Sequence, residues 1–302
     1  MAMSQPKIQD SALRAMTDDG AFRVVVVRTT DTVRRMLELQ GHRGQEAQFL
    51  GELITGAVMV RETMAPDYRL QALLRSHDNR HRLVADTHPD GGSRGLITHA
   101  AEGGNGTGAS AASRAQGHFE MRGSSLEVVR TLYSGDVHRG VVEVPEDGGV
   151  SEALMAYLQG SEQVASMLAV ACVLDADNKV IASGGYLVQL LPEVGRAPLA
   201  IMAERLNDFR DIRELLTTTD AAPSPLLDEI LYRMPFTRLH ESGLSWKCRC
   251  SAVRVMSSLA ALSRAELAEL IADGKPIELS CDFCNQTYNI GPNQLAGLLE
   301  QS

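Results

Sequence analysis

No stretch of this 302-residue chain carries the ~18 consecutive apolar residues that a membrane-crossing helix needs. No such span is expected. The N-terminus, Met1 to Ala21, contains Asp10, Asp18 and Asp19 and has no apolar run of the signal-peptide kind, so no export signal is expected either. Basic charge is also in short supply: 29 Lys and Arg face 38 Asp and Glu, a formal net charge of −9. That excludes a broad electrostatic grip on nucleic acid or on anionic lipid. The expected compartment is the cytoplasm, with neither membrane nor nucleic acid as a partner. Cysteine is scarce, and four of the five lie between Cys248 and Cys284. In a reducing compartment so tight a cluster points to metal or redox chemistry, not to a disulfide framework. Aromatic residues are few, and the one tryptophan, Trp246, precedes Cys248 by two residues. It is expected to report the unfolding of that segment.

What is present supports a sizeable core, since 44 % of the residues are hydrophobic. Phe22 to Arg28 (FRVVVVR) is a β-branched run and predicts a strand. Thr30 and Asp31 can cap a helix running to about Gln40, and Gln45 to Glu62 has helical apolar spacing. Strands are predicted near Tyr68–Arg75, Arg82–Asp86, Leu96–His99, Leu126–Leu132 and Gly140–Val144. Gly149 to Gly160 predicts a helix ended by Gly160, and Val164–Leu174 with Lys179–Leu191 predicts a hairpin. Ala100 to Gln116 is low-complexity sequence and is expected to be a loop. The fold class is α+β. An α+β core domain is expected over residues 1–192, and a helical linker of low intrinsic stability over 193–245. Within that linker Pro198 to Leu216 and Pro225 to Met234 predict helices. A small unit is expected over 246–302, with a capping box at Ser263–Glu266, Leu262 and Leu267 as its hydrophobic staple, a stop at Gly274, and a last helix after Gly291-Pro292.

Cys248-Arg249-Cys250 is followed thirty residues later by Cys281-Asp282-Phe283-Cys284. Zinc takes four tetrahedral ligands and accepts thiolates at ~2.3 Å. Two close pairs supply them, so Cys248, Cys250, Cys281 and Cys284 are the expected ligands of one structural Zn2+. With all four positions cysteine, none is left open for water, which argues against catalytic zinc. So short a unit buries little surface alone, and metal would decide whether it folds. Cys-x-Cys is the unusual half, because zinc ribbons use Cys-x-x-Cys in both knuckles. A disulfide across Cys248 and Cys250 could not keep ligating the metal, so oxidation should eject the zinc.

The C-x-C and C-x-x-C pairs, in the settings Trp246-Lys247-Cys248-Arg249-Cys250-Ser251 and Cys281-Asp282-Phe283-Cys284-Asn285-Gln286-Thr287-Tyr288, resemble the C-terminal switch of the redox-regulated 33-kDa heat-shock chaperone family. The likeness extends through the core. Tyr157-Leu158-Gln159-Gly160-Ser161-Glu162-Gln163, Gly184-Gly185-Tyr186-Leu187-Val188-Gln189-Leu190-Leu191-Pro192, Ser93-Arg94-Gly95 and His138-Arg139-Gly140 look like family segments. The Ala100–Gln116 loop is longer and richer in Gly and Ala than the family pattern, and the core is poorer in aromatics. The resemblance implies a holdase that uses no nucleotide, is not an enzyme, and binds unfolded or partly folded clients. It implies an inactive, monomeric, zinc-bound reduced form. Oxidation would pair Cys248 with Cys250 and Cys281 with Cys284, release zinc, unfold the linker and give an active homodimer.

The competing reading is a zinc-ribbon adaptor for protein or nucleic acid. Its last segment lacks a basic stripe, because Lys247, Arg249, Arg254, Arg264 and Lys275 are outnumbered by acids. Other motifs carry less. Gly91-Gly92-Ser93-Arg94-Gly95 has nucleophile-elbow spacing but leads into strand-like Leu96-Ile97-Thr98. Gly104 to Ala109 fits a dinucleotide pattern without its strand–helix setting. Asp175 to Asn178 is a turn; as a calcium loop it would need Glu where Tyr186 stands. His77 and His81 stand four apart in a polar loop, and Cys172 reads as a core cysteine.

Overall fold

The computed structural model describes residues 8–99, 119–132, 134–191 and 197–301. The Ala100–Gln116 loop and the Gly104–Ala109 motif lie outside them. The chain divides into two compact units, Met1–Lys247 and Cys248–Ser302.

The first unit has two sheets. One contains β1 (Ser11–Thr17), β2 (Phe22–Arg28), β8 (Ser166–Leu174), β9 (Val180–Leu190) and β10 (Phe236–Gly243), in the antiparallel order β10-β1-β2-β9-β8. The other contains β3 (Arg69–Arg75), β4 (His81–Thr87), β5 (Gly92–His99), β6 (Ser125–Thr131), β7 (Val137–Glu143) and the two-residue β11 (Ser245–Trp246), in the order β11-β5-β4-β3-β6-β7. Helices α1 (Thr30–Gln40), α2 (Gly44–Glu62) and α3 (Val150–Gly160) pack against these strands. α3 ends at Gly160, but as its last helical residue and not as a stop beyond the helix, because the cap is the right-handed Ser161.

The FRVVVVR run is apolar without alternation because both of its faces are covered. Val25 and Val27 enter the core shared with α1, α2, α3 and the six-stranded sheet. Val24 and Val26 point the other way, with Ala169, Ala171, Tyr186 and Val188, into a second core. α2 is buried along almost its whole length from Leu50 onward, as a helix apolar on all sides must be. Gly51 permits its approach to β8, since a Cβ there would lie 2.6 Å from the Cys172 sulfur. Thr30 and Asp31 do not cap α1. Its cap comes from outside the helix: the Asp10 carboxylate accepts the N–H groups of Asp31 (3.1 Å) and Thr32 (2.6 Å), and also holds the buried Arg28 guanidinium at 2.5 Å.

The second core is closed by the segment expected to be a helical linker. α4 (Ala197–Leu206), a 3-10 turn at Asn207–Phe209, α5 (Arg213–Thr218) and α6 (Pro223–Ile230) lay Met202, Leu206, Ile212, Leu216, Leu226, Leu227 and Ile230 on the outer face of the five-stranded sheet. The single helix expected over Pro198–Leu216 is therefore interrupted, at Asn207 and Asp208, residue types whose side chains compete for backbone hydrogen bonds. The segment is also not wholly helical. Its last part is β10, an edge strand paired with β1 from Ser11↔Gly243 to Thr17↔Phe236. Gly184 lets α5 settle, because a Cβ there would stand 2.6 Å from the Val27 carbonyl and 3.0 Å from the Leu216 side chain.

The second unit contains α7 (Ala252–Leu259), α8 (Arg264–Ala272), β12 (Ile277–Ser280), β13 (Thr287–Ile290) and α9 (Pro292–Gln301). The capping box forms, with the Ser263 hydroxyl accepting from the Glu266 N–H and the Glu266 carboxylate accepting from the Ser263 N–H at 2.8 Å. Gly274, at φ +65°, supplies the left-handed stop after α8. The core of this unit is small: Leu259, Leu267, Ile290 and Leu295 are buried, with Leu262, Leu298 and Leu299 packed around them.

Candidate metal centre

Cys248 and Cys250 sit just before α7, which Ser251 caps by accepting the Arg254 N–H. Cys281 and Cys284 lie in the turn joining β12 to β13. The turn is closed by Cys281 N–H to the Gln286 carbonyl (2.9 Å), Cys284 N–H to the Cys281 carbonyl (3.2 Å) and Asn285 N–H to the same carbonyl (2.8 Å). Asn285 takes φ +57°, a left-handed conformation that asparagine tolerates better than most residues.

The four sulfurs converge, all within 4.8 Å of one another. Cys248 Sγ is 3.7 Å from Cys281 Sγ, and Cys250 Sγ is 3.4 Å from Cys284 Sγ. With metal–sulfur bonds of ~2.3 Å, the edge of a tetrahedral four-thiolate site is about 3.8 Å. The donor set thus fits a tetrahedral ion that prefers soft ligands. All four cysteines are free thiols and half-buried, open enough for a small oxidant to arrive.

Their protonation differs. Burial opposes ionisation of Cys248, but hydrogen bonds from the Cys250 N–H and from the thiols of Cys250, Cys284 and Cys281 outweigh it and lower the thiol to about 7. Burial raises Cys281 and Cys284, which leaves Cys248 as the thiol most readily ionised of these three. One neighbour carries a contact that the sequence analysis does not assign. The Tyr288 hydroxyl donates to Cys250 Sγ at 3.0 Å, and the phenol is pushed up to about 12 chiefly by that bond. Tyr288 faces Leu279 across the β12–β13 ladder, one pair away from the turn that carries the cysteines, a position readable only once the hairpin is drawn.

A family model described as Hsp33 protein matches residues 10–291. The chain belongs to the Hsp33 family. Curated relatives described as 33 kDa chaperonin agree. The Syntrophotalea carbinolica protein is 30 % identical over 97 % of this chain and 100 % of its own length. The Bacillus subtilis protein is 26 % identical over 97 % and 99 %. A crystal structure from Thermotoga maritima, described as a 33 kDa chaperonin (heat shock protein 33 homolog), covers 97 % of this chain and 98 % of its own with a TM-score of 0.78. At 21 % identity that likeness shows the shared α+β fold. As an Hsp33 protein the chain is a chaperone, of a family found in bacteria. No helix among the described residues is long and apolar enough to cross a membrane.

The remaining sequence signals resolve into structure. Gly91, at φ +75°, is in the turn between β4 and β5, and a strand follows where a nucleophile elbow needs a helix. Asp175–Asn178 is the β8–β9 turn, closed by Asp175 N–H to the Lys179 carbonyl. Cys172 is buried, and burial first, then the charge of Glu52, push its thiol up to about 12. Trp246 does not belong to the second unit. It pairs in parallel with Ser93 of β5, packs on the main core, and has the Arg35 guanidinium 5.9 Å from its ring centroid.

Proposed function

We propose that this Hsp33 chain is a holdase switched on by oxidation and independent of nucleotide, with Cys248, Cys250, Cys281 and Cys284 as ligands of one structural Zn2+ in the reduced form. The convergence of four thiols from two short segments is the observation that carries the reading. When bound, the ion would cross-link the two segments and hold the sulfurs as thiolates. The chain does the rest. The four sulfurs are half-buried, which leaves them open to a peroxide. Each disulfide takes two electrons from two thiols and reduces one peroxide to two waters. Disulfides Cys248–Cys250 and Cys281–Cys284 thus consume two equivalents and remove all four ligands.

Among the described residues the second unit then has only Leu259, Leu267, Ile290 and Leu295 as a buried core. Residues 193–245 are the conditionally folded linker of this scheme, with α4–α6 held over the five-stranded sheet. Their release would expose Val24, Val26, Ala169, Ala171 and Val188, an apolar surface fit for unfolded clients. The oxidised form is expected to dimerise, and the cytoplasm is its compartment.

The test is light scattering of a thermally unfolding client with reduced and with peroxide-treated protein, zinc release being followed in parallel. Protection only after oxidation, with stoichiometric zinc release, is expected. Equal protection by both forms would overturn the switch. Peptide mapping addresses the pairing, because the nearest sulfurs run across the segments, Cys248 to Cys281 and Cys250 to Cys284.

A further inference from the structure

His81 opens β4 and His99 closes β5, and the antiparallel register makes them direct partners. Paired residues stand on the same face of a sheet. Glu46, in the first turn of α2, comes down beside them. His81 Nδ1 lies 2.7 Å from His99 Nδ1, with the rings edge to face and their centroids 4.9 Å apart. Glu46 Oε1 is 3.8 Å from His81 Nδ1, and Glu46 Oε2 is 3.6 Å from His99 Nε2. One ligand atom from each residue lies within 4.8 Å of the other two.

We propose that Glu46, His81 and His99 form a second metal site, in the first unit, for a divalent first-row cation such as Zn2+ or Co2+. The carboxylate-to-ring separations are too long for hydrogen bonds. They are close to the spacing of two ligands on one ion, since metal–ligand bonds of ~2.1 Å give a tetrahedral edge of about 3.4 Å. Two imidazoles and a carboxylate suit a borderline cation and disfavour Ca2+ and Mg2+, which take oxygen ligands. Three protein ligands leave a coordination position for water, so the ion would exchange more readily than one held by four thiolates. The three side chains are each about 15 % exposed, which gives an ion a way in. A direct hydrogen bond between the two Nδ1 atoms holds the pair without metal, and metal binding would replace it, with His99 offering Nε2, which lies 3.6 Å from Glu46 Oε2.

The site shares no residue with the four-cysteine cluster, so oxidation of those thiols should leave it intact. An ion there would fasten the first turn of α2 to the open end of the β4–β5 hairpin. The chain would then keep a bound cation, and a stiffened core, in both redox states.

The experiment uses the full-length reduced protein loaded with one equivalent of Zn2+ and titrated with Co2+. One further Co2+ per chain is expected, with visible d–d absorption, no thiolate-to-cobalt charge transfer, and paramagnetic shifts on two histidine rings. Glu46→Gln should weaken that binding at least tenfold, and His99→Gln should abolish it with the first equivalent of Zn2+ retained. Failure of the wild type to take up a further Co2+, or full-affinity uptake by the His99→Gln protein, overturns the site. Should His99→Gln fold poorly by circular dichroism, the ring shifts in wild type and the Glu46→Gln affinity decide: shifts confined to other histidines, or an unchanged affinity, overturn it.

Discussion

Cys281 is fixed by the hairpin turn through its own N–H and its carbonyl, so Cys281→Ser should leave that turn formed and remove one thiolate. A serine hydroxyl is a poor ligand for a soft thiolate-binding site. Zinc content, measured by a chromogenic chelator on reduced protein, should fall well below one per chain, and full retention would contradict the ligand assignment. A different residue governs pH. Glu52 on α2 is buried, and burial lifts its carboxyl to about 7 although the Gln48 amide donates to it at 2.9 Å. Its folded value lies above the ordinary one. Stability from this group is thus fully present below about pH 4.5 and is lost as pH rises through about 7. Glu52→Gln, which keeps the shape and stays neutral, should flatten that dependence, by up to roughly 3 kcal/mol of unfolding free energy between pH 5 and 8. Urea melts across that range check it, and an unaltered pH dependence would show that Glu52 does not change its protonation on unfolding there, so that its carboxyl is not raised in the fold.

The segment 197–243 joins the first unit by two kinds of bond. α4 to α6 are held by side chains, with Leu206 buried beside Met202, Ile212 and Leu216, and the Tyr186 hydroxyl donates to the Phe209 carbonyl at 3.2 Å. β10 is held by backbone pairing to β1, most of its side chains being exposed. Leu206→Glu should therefore release the helices first, since it forfeits about 1.5–3 kcal/mol of burial and adds the cost of a desolvated charge. Client protection by the fully reduced, zinc-loaded variant is expected, with protease cuts between 197 and 231. Cuts there without protection would mean that linker unfolding does not activate. This contrast also explains what the sequence reveals. The strand Phe22–Arg28, the helix α2 and the Ser263 capping box are legible because local spacing determines them. β10 is not, because it is an edge strand whose partner, β1, lies more than 200 residues away along the chain. The α1 cap is hidden for the same reason, lying on Asp10 and not beside the helix. The four cysteines are legible as one cluster from spacing, whereas the Tyr288 contact and the His81–His99 pair need strand register.

At the scale of the molecule, two units whose cores differ greatly in size imply two separate transitions. Among the described residues the first unit buries two extensive apolar clusters, and the second one cluster built on four buried residues. A unit that small lacks the buried area to be secure alone, whereas structural zinc in small zinc-finger peptides contributes an apparent ~10–16 kcal/mol. Chelation of the reduced protein should accordingly melt Cys248–Ser302 and leave the first unit folded. Amides of α8, α9 and the β12–β13 hairpin should then exchange with solvent within seconds, and those of β2, β8 and β9 should keep their protection. Trp246 supplies an optical control, and its expected behaviour follows from where it packs. Bound to β5 and covered by the main core, it should keep its blue emission when only the second unit has melted, contrary to what its place beside Cys248 suggests. A red shift should come later, with detachment of β11, under conditions that also expose α4–α6 to protease. A red shift that tracks zinc loss one for one, accompanied by loss of protection in β2 and β9, would show instead that the two units unfold as one.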